Sequence, residues 1–225
     1  MKTYKTVVII PARGGSKRFK KKNIQLLNGL PLLVHSINYA KENKNIVDAI
    51  YVSTDDSEIE SIAIKAGANV IKRPEILSND TATTVSVLKH AVQNIKGDYH
   101  FVVLLQPTNP LRPKKLLKEA YEILENENCD SLMTVSRNHQ KFGKIDKGAF
   151  VPFNYTMGQR SQDLEPLYFE NGLLYITKAS AVLNNKILTK NNYPLIVNHP
   201  FASVDVDTEE DLKYAEFVIK NYSNA

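Results

Sequence analysis

The feature that most constrains the fold is a regular alternation of short apolar runs with segments of helical periodicity. The clearest runs are residues 6–10 (TVVII) and 101–105 (FVVLL). Continuous apolar runs of this length, bounded by turn residues, are typical of strands buried on both faces. Leu33, Ile37 and Ala40 follow the first run at helical spacing. Repeated strand–helix–strand units predict an α/β protein, with a mainly parallel sheet and helices on both faces.

The remaining elements continue this pattern along most of the chain. Further strands are predicted at residues 49–53, 70–71, 131–136, 173–177 and 195–198. One helix is predicted to begin at Pro31, and a second is predicted to end at Ala66. Further helices are predicted over residues 85–95, from near Pro113 to about residue 126, and over residues 208–221. Residues 138–170 break the alternation with five Gly or Pro residues, which favours hairpins or an inserted flap. We predict one domain of residues 1–225 that carries residues 138–170 as this flap.

Composition excludes several classes of site. Cys129 is the single cysteine, so neither an intrachain disulfide framework nor a cysteine-rich zinc site is possible. The five histidines are scattered and form no HExxH motif. The apolar runs are far shorter than the roughly 20 residues that span a bilayer, and short for a signal-peptide core. We therefore expect a cytoplasmic protein without a membrane segment.

The net charge of +5 comes from one local feature. Residues 1–41 contain nine Lys or Arg and no acidic residue, whereas the rest of the chain contains 20 basic and 24 acidic residues. The basic residues concentrate between Arg13 and Lys22. A nucleic-acid-binding protein usually spreads its positive charge along a face, so a dense cluster fits a small polyanion such as a nucleoside triphosphate better. A solubilising surface loop is the alternative.

The basic loop, residues 11–23, directly follows the first predicted strand. Gly14 and Gly15 let backbone N–H groups approach an anion, and Ser16 offers a hydroxyl donor. Arg13, Lys17 and Lys22 can neutralise phosphate charge. The loop matches neither GxxxxGK[ST] nor GxGxxG, so it supports neither a P-loop nor a dinucleotide-binding site. The loop predicts a phosphate site, and a glycine turn beside a solvated lysine run remains the alternative.

A pair of carboxylates near the C-terminus predicts a metal site. In an extended chain Asp205 and Asp207 point the same way, because alternate residues share a face. Mg²⁺ prefers one or two carboxylates together with water and phosphate oxygens. The alternative is that the two residues cap the helix that follows.

Two further polar segments lie near predicted strand ends. Gln106 presents an amide at the sheet edge and begins a proline-stiffened loop that ends at Arg112; the alternative is a rigid turn in which Arg112 caps a neighbour. Arg73 and residues 79–84 suit recognition of a base edge, although a helix start explains the latter equally well. Because parallel sheets bind ligands at the carboxyl ends of their strands, we expect one composite site there.

Taken in order, these segments resemble the acylneuraminate cytidylyltransferase family, the CMP-sialic acid synthetases, over nearly the whole chain. The matching segments are IIPARGGSK with KNI, LNGLPL, STD, RPE with NDT, LQPTNPLR, QDL, NG and DVDT. The resemblance implies a Rossmann-like fold, a homodimer, and Mg²⁺-dependent transfer of CMP from CTP to a nine-carbon 2-keto acid sugar. It also implies that the flap reaches toward the partner's site.

The resemblance assigns roles residue by residue. Its nucleotide contacts fall on Arg13, Ser16, Lys17, Lys22, Asn23, Arg73 and Thr83. Its sugar contacts fall on Gln106, Gln162 and Tyr175, with Arg160 as a further candidate. Its metal carboxylates fall on Asp205 and Asp207. We assign Lys22 and Arg13 to charge stabilisation, and Asp205 is our candidate general base.

The sequence departs from the family pattern in two places. Arg18, Phe19 and Lys20 stand where the family usually has Gly, a small apolar residue and Pro, so we expect a stiffer and more basic loop. Ser161 replaces an arginine before Gln162, which affects substrate identity more than reaction type.

Three alternatives stay open at this point. One is a cytidylyltransferase for a different keto-acid sugar, such as legionaminic, pseudaminic or a KDO-like acid. A second is a glycosyltransferase that uses the DxD pair, and the density of positive charge in the basic loop argues against it. A third is a nucleic-acid-binding protein, which the acidic balance of residues 42–225 disfavours.

Overall fold

The computed structural model describes residues 4–222. The strands are β1 (Thr6–Pro11), β2 (Leu26–Leu27), β3 (Leu30–Pro31), β4 (Ala49–Thr54), β5 (Asn69–Lys72), β6 (Phe101–Leu104), β7 (Ser131–Arg137), β8 (Gly143–Asp146), β9 (Ala149–Pro152), β10 (Tyr168–Lys178) and β11 (Asn192–Ile196). The helices are α1 (Leu32–Glu42), α2 (Ser57–Lys65), α3 (Thr84–Asn94), α4 (Leu116–Asn126), α5 (Ala179–Leu183) and α6 (Glu209–Tyr222).

Seven strands form one central sheet in the order β11-β7-β10-β6-β1-β4-β5. β1 lies between β4 and β6 and is parallel to both, β5 is parallel to β4, and β11 is parallel to β7. β10 runs antiparallel to β6 and β7. The prediction of a mainly parallel sheet is therefore confirmed, with one reversed strand inside it.

Helices cover both faces of this sheet, as predicted. Val8 and Ile10 of β1 pack in one apolar core with buried residues of α1, α2 and α4. Val7 and Ile9 of the same strand pack in a second core with residues of α3 and α5. Because side chains alternate along a strand, β1 must be apolar on both faces, and this explains its unbroken apolar run.

Several elements differ from their predicted bounds. β11 begins three residues earlier than predicted, because Asn192–Ile196 pairs in register with Ser131–Val135 of β7 despite its polar and proline residues. Pro194 is tolerated there because β11 is an edge strand. α4 begins at Leu116, three residues after Pro113, and α5 and the β2–β3 hairpin were not predicted.

The C-terminal helix fixes the position of the acidic segment that precedes it. Ala215 and Val218 of α6 pack with Leu27, Val204 and Val206 in a third apolar core. The chain between β11 and α6 is thereby held against the β2–β3 hairpin, close to the end of the basic loop. This packing brings residues far apart in sequence to one edge of the sheet.

The predicted flap contains a separate two-stranded hairpin of β8 and β9. Large apolar side chains of residues 142–157 are exposed on it, among them Phe142, Ile145, Phe150, Phe153 and Met157.

Among residues 4–222, no helix combines the length and apolar character needed to cross a bilayer.

Candidate active site

A cavity of about 710 Å³ lies at the carboxyl ends of β1, β5 and β6. Its walls include most of the residues that the sequence singled out: Arg13, Ser16, Lys17, Lys22, Asn23, Arg73, Gln106, Asp205 and Asp207. Its volume lies within the range of small-molecule sites. The structure therefore brings the basic loop, the loop after β6 and the carboxylate pair into one place.

The basic loop is held in shape by hydrogen bonds within itself and to the residue that follows β4. The Asn23 side chain donates to the Arg13 carbonyl oxygen at 2.9 Å, and the Gly14 N–H donates to the Asp55 carboxylate at 3.0 Å. A Cβ at Gly14 would lie 2.6 Å from the Asp56 carboxylate, so this position requires glycine. The Gly14 amide was expected to point at a bound anion. It instead donates to a carboxylate of the protein itself, that of Asp55.

The cations of the loop pair with two carboxylates, Asp80 and Asp207, that line the same cavity. Arg13 and Lys17 lie 2.9 Å and 2.5 Å from the Asp80 carboxylate. Lys22 lies 2.5 Å from Asp207, and Arg18 lies 3.6 Å from the same carboxylate. Asp80 was not singled out from the sequence, where residues 79–84 were considered together as a base-edge or helix-start segment.

Arg73 is a buried cation in the cavity wall. Its guanidinium donates to the Ser53 hydroxyl at 3.2 Å and to the Ser53 carbonyl oxygen at 2.5 Å. The pKa of Arg73 is lowered to about 10, mainly by burial; the charge of Asp55 opposes this shift and that of Arg13 adds to it. Such a group stays charged at neutral pH and is held rigidly where it faces the cavity.

The segment from Thr83 to the start of α3 has two separate roles. The Thr83 hydroxyl accepts from the Ser86 N–H and caps the helix, as the alternative interpretation of this segment expected. Within this segment it is Thr84, not Thr83, that lines the cavity. The nucleotide contact assigned to Thr83 stays a prediction.

Asp205 and Asp207 face the cavity because the valines between and before them face the core. Val204 and Val206 are buried, and the Val206 N–H donates to the Thr108 carbonyl oxygen at 2.7 Å. Asp205 keeps access to solvent through the cavity, yet desolvation raises its pKa, and so does the charge of Asp207, while the Thr108 side chain opposes both.

Asp207 is not the cap of α6. The Asp211 carboxylate accepts from the backbone N–H groups of Asp207 and Thr208 at 3.0 Å and 2.8 Å, and the Thr208 hydroxyl accepts from the Asp211 N–H. This reciprocal pair is a capping box, whose sequence signal is a threonine three residues before an acidic residue. The Asp207 side chain is thus left for the cavity.

Two buried side chains, those of Asn109 and Arg112, hold the loop after β6 in place. The sequence did not assign either of them to the site. Asn109 donates to the carbonyl oxygens of Asn171 and Val204 at 3.2 Å and 3.0 Å. Gly172, with φ +73°, leaves room for it, since a Cβ there would lie 2.5 Å from the Asn109 oxygen. These contacts tie the loop to the segment that carries Asp205.

Arg112 is fully buried and fixes the backbone of Gln106. It donates to the carbonyl oxygens of Leu173 and Gln106 at 2.6 Å and 2.9 Å and to the Ser36 hydroxyl at 3.1 Å. Burial lowers its pKa to about 10. The rigid-turn interpretation of this loop therefore holds for Arg112, while Gln106 itself lines the cavity.

A second cavity of about 320 Å³ adjoins the first, because Thr84 and Gln106 line both. Its remaining lining residues are Leu104, Met133, Glu170, Tyr175, Ile187 and Leu188. The Tyr175 hydroxyl donates to Glu170 at 3.0 Å. Burial, followed by the charge of Glu170, raises the pKa of Tyr175, so this phenol stays protonated.

The structure does not bring Arg160 and Gln162 to either cavity of the same chain. Both lie in the flap, at a short 3₁₀ turn of residues Ser161–Asp163. The Arg160 guanidinium contacts the Asp163 carboxylate with two hydrogen bonds, at 2.7 Å and 3.1 Å. Their sugar-binding role stays a prediction.

Comparison with known families decides the classification. The family model described as cytidylyltransferase matches residues 7–221, nearly the whole chain. The chain belongs to this cytidylyltransferase family. The resemblance inferred from the sequence is thereby confirmed.

Three curated relatives of this chain are named for different sugar acids. An N-acylneuraminate cytidylyltransferase of Streptococcus agalactiae serotype III is 35% identical over 92% of this chain. A CMP-N,N'-diacetyllegionaminic acid synthase of Legionella pneumophila is 33% identical, with 93% of this chain and 94% of the relative covered. A pseudaminic acid cytidylyltransferase of Campylobacter jejuni is 32% identical, with 98% and 99% covered. The chain spans about half (51%) of the length of the streptococcal relative.

Solved structures share the fold at much lower sequence identity. A CMP:2-keto-3-deoxy-manno-octonic acid synthetase complexed with CTP superimposes with a TM-score of 0.72 at 16% identity, covering 96% of this chain and 98% of that chain. A 4-diphosphocytidyl-2C-methyl-D-erythritol synthase of Anaerococcus prevotii gives 0.70 at 13% identity, with 97% of each chain covered. This chain therefore shares the fold of these two solved synthases, as the prediction of a Rossmann-like architecture expected.

Proposed function

We propose that this chain transfers CMP from CTP to a nonulosonic, sialic-acid-like sugar and releases pyrophosphate. One observation carries the proposal: a cavity that gathers the cations of the basic loop and the carboxylates of Asp205 and Asp207 adjoins a second cavity, with Gln106 in the lining of both. The first has the charge distribution for a metal-bound triphosphate, and the second has room for an acceptor. The names of the curated relatives support the same reaction.

In this reaction the anomeric hydroxyl oxygen of the sugar attacks the α-phosphorus of CTP. The bond from that phosphorus to the pyrophosphate oxygen breaks, and the hydroxyl proton passes to a base. Phosphoryl transfer depends mainly on positioning and on neutralisation of charge. Lys22 and Arg13 supply positive charge in the cavity for the α-phosphate and the leaving group. Asp205, which lines the same cavity, is our candidate acceptor for the proton.

The carboxylate pair fits a magnesium ion. The pKa of Asp205 is raised by desolvation and by Asp207, so a cation bound by both carboxylates would relieve their repulsion. Within residues 4–222 no three His, Cys, Asp or Glu side chains gather around a metal position. Mg²⁺ suits such a sparse site, because it takes one or two carboxylates and completes its shell with water and phosphate oxygens. When bound, it would neutralise charge on the phosphates.

The acceptor would bind in the second cavity, with Gln106 and Tyr175 as its polar contacts. Relatives of similar identity are named for sialic, legionaminic and pseudaminic acids, so a panel of acceptors decides the substrate. Purified protein is incubated with CTP, Mg²⁺ and each of these acids or KDO, and pyrophosphate release is measured. We expect release with one nonulosonic acid. No release across the panel, together with no binding of CTP, would refute the proposal.

We propose further that the chain acts as a homodimer through its flap. The exposed apolar side chains there, such as Ile145, Phe153 and Met157, need a partner surface to bury them, and a twofold copy is the commonest one. Arg160 and Gln162 would then serve the partner's sugar cavity rather than their own. Sedimentation at micromolar concentration tests this, and a monomer would exclude it. A cytoplasmic location stays a prediction.

A further inference from the structure

The Asp80 carboxylate contacts two cations of the basic loop, Arg13 and Lys17, in the larger cavity. Asp80 lies in the segment between β5 and α3, and it lines the cavity. Its two oxygens contact different partners: one is 2.9 Å from Arg13 and the other is 2.5 Å from Lys17. This two-oxygen contact with two cations is the arrangement that two oxygens of a phosphate would make.

The segment around Asp80 is shaped to present this carboxylate. The Asn79 side-chain oxygen accepts from the Thr81 N–H, the Thr81 hydroxyl and the Ala82 N–H, at 3.0, 2.8 and 3.0 Å. Such an Asx turn fixes the backbone on both sides of Asp80. Arg13 also donates to the Ser78 carbonyl oxygen at 3.4 Å, so the segment contacts the basic loop at a second point.

We propose that Asp80 is an internal competitor for phosphate at Arg13 and Lys17 and thereby sets the affinity of the site for polyphosphates. The inference rests on the proposed function only in taking the anion to be a phosphate chain. A ligand that uses the same two cations must displace Asp80 or share them with it, and either reduces its net gain in binding. The competition is modest, because the side chains of Asp80 and Lys17 are 46% and 81% exposed, and exposed ion pairs are weak.

The test is the affinity for inorganic pyrophosphate, measured by calorimetry in buffer without divalent cations. Asp80→Asn keeps the shape of the side chain and removes its charge. We expect this variant to bind pyrophosphate about two- to tenfold more tightly than the parent protein, the range set by two partly exposed ion pairs. Unchanged or weaker binding would overturn the proposal, because it would mean that Asp80 orients the cations instead of competing for them.

Two further variants separate local competition from the general effect of net charge. Glu75→Gln removes one exposed negative charge from the same segment, outside the residues that line the cavity, and should leave the affinity unchanged. An equal gain in Glu75→Gln would also overturn the proposal. In a Lys17→Met background the gain from Asp80→Asn should shrink, because one of the contested cations is gone. The same gain in that background would contradict competition at Lys17.

A parallel titration with CTP distinguishes this proposal from the proposed function. Tighter pyrophosphate binding by Asp80→Asn supports the competition whatever CTP does. Failure of every variant to bind CTP counts against the cytidylyltransferase reaction and leaves the role of Asp80 in place.

Discussion

Lys22 and its neighbour Lys21 allow a matched test of charge stabilisation during catalysis. Lys22 lines the cavity, its side chain is 19% exposed, and its ammonium lies 2.5 Å from Asp207. Lys21 is directed away from the cavity and pairs with Glu58 at the surface, where both side chains are about half exposed. Replacing each lysine with methionine removes the same charge and keeps a similar length, so the two variants differ mainly in position.

The size of the effect follows from this environment. A hydrogen bond to a charged group is typically worth about 1.5–3 kcal/mol. If Lys22 contacts the reacting phosphate mainly in the transition state, Lys22→Met should lower kcat by about 10- to 150-fold, with little change in the KM for CTP. Lys21→Met should leave both constants nearly unchanged, because an exposed pair contributes about 1 kcal/mol of stability or less.

The assay is steady-state pyrophosphate release with CTP varied, at saturating acceptor and Mg²⁺. Thermal melting of both variants shows whether the fold is retained. Equal losses of kcat in the two variants would refute the reasoning, because position would then have no influence. A raised KM with unchanged kcat for Lys22→Met would also refute it, since Lys22 would then bind substrate and transition state equally.

Three further predictions concern the carboxylate pair and its support. The Asp207 side chain does not cap α6, so the expected effect of Asp207→Asn is on the metal contact. The variant should lower turnover by about 10²-fold or more and weaken Mn²⁺ binding measured by electron paramagnetic resonance. Near-normal values would exclude Asp207 as a ligand. Gly172→Ala should lower the free energy of unfolding in urea by about 1–3 kcal/mol, because φ is +73° and its Cβ would meet Asn109. Gly29→Ala, with φ +78° and open space, should cost less, and the reverse order would contradict the steric argument. The raised pKa of Asp205 means that the folded protein binds this proton more tightly than the unfolded chain, so ionisation of Asp205 destabilises the fold at higher pH and this penalty fades as pH falls toward the ordinary value of about 4. Asp205→Asn should therefore raise the melting temperature at pH 7 while turnover falls, with a difference that shrinks at lower pH; a difference that grows on acidification would contradict the sign.

The local sequence pattern was sufficient to predict most of the strands and helices. It was not sufficient to predict how the strands pair. The runs that became β1 and β6 are buried on both faces, and an unbroken apolar run is a strong local signal of such strands. β11 was misplaced because its Asn192 and Pro194 carry no such signal, and only pairing with β7 makes this segment a strand. The reversed direction of β10 has no local signature either, since apolar periodicity is the same in both directions.

In the site, the sequence by itself determined which residue types were available, and the tertiary structure decided which of them meet. The basic loop after β1 and the alternation of Val and Asp near residue 205 are local features, and their chemistry follows from residue type and spacing. The pairing of Arg13 with Asp80 and of Lys22 with Asp207 joins positions 67 and 185 residues apart. Ion pairs of this kind depend on distances of a few ångströms, which are set by the packing of α6, the buried Asn109 and the order of the strands. The order of charges along a chain does not predict those distances, because they arise only when the apolar cores of the two sheet faces have formed.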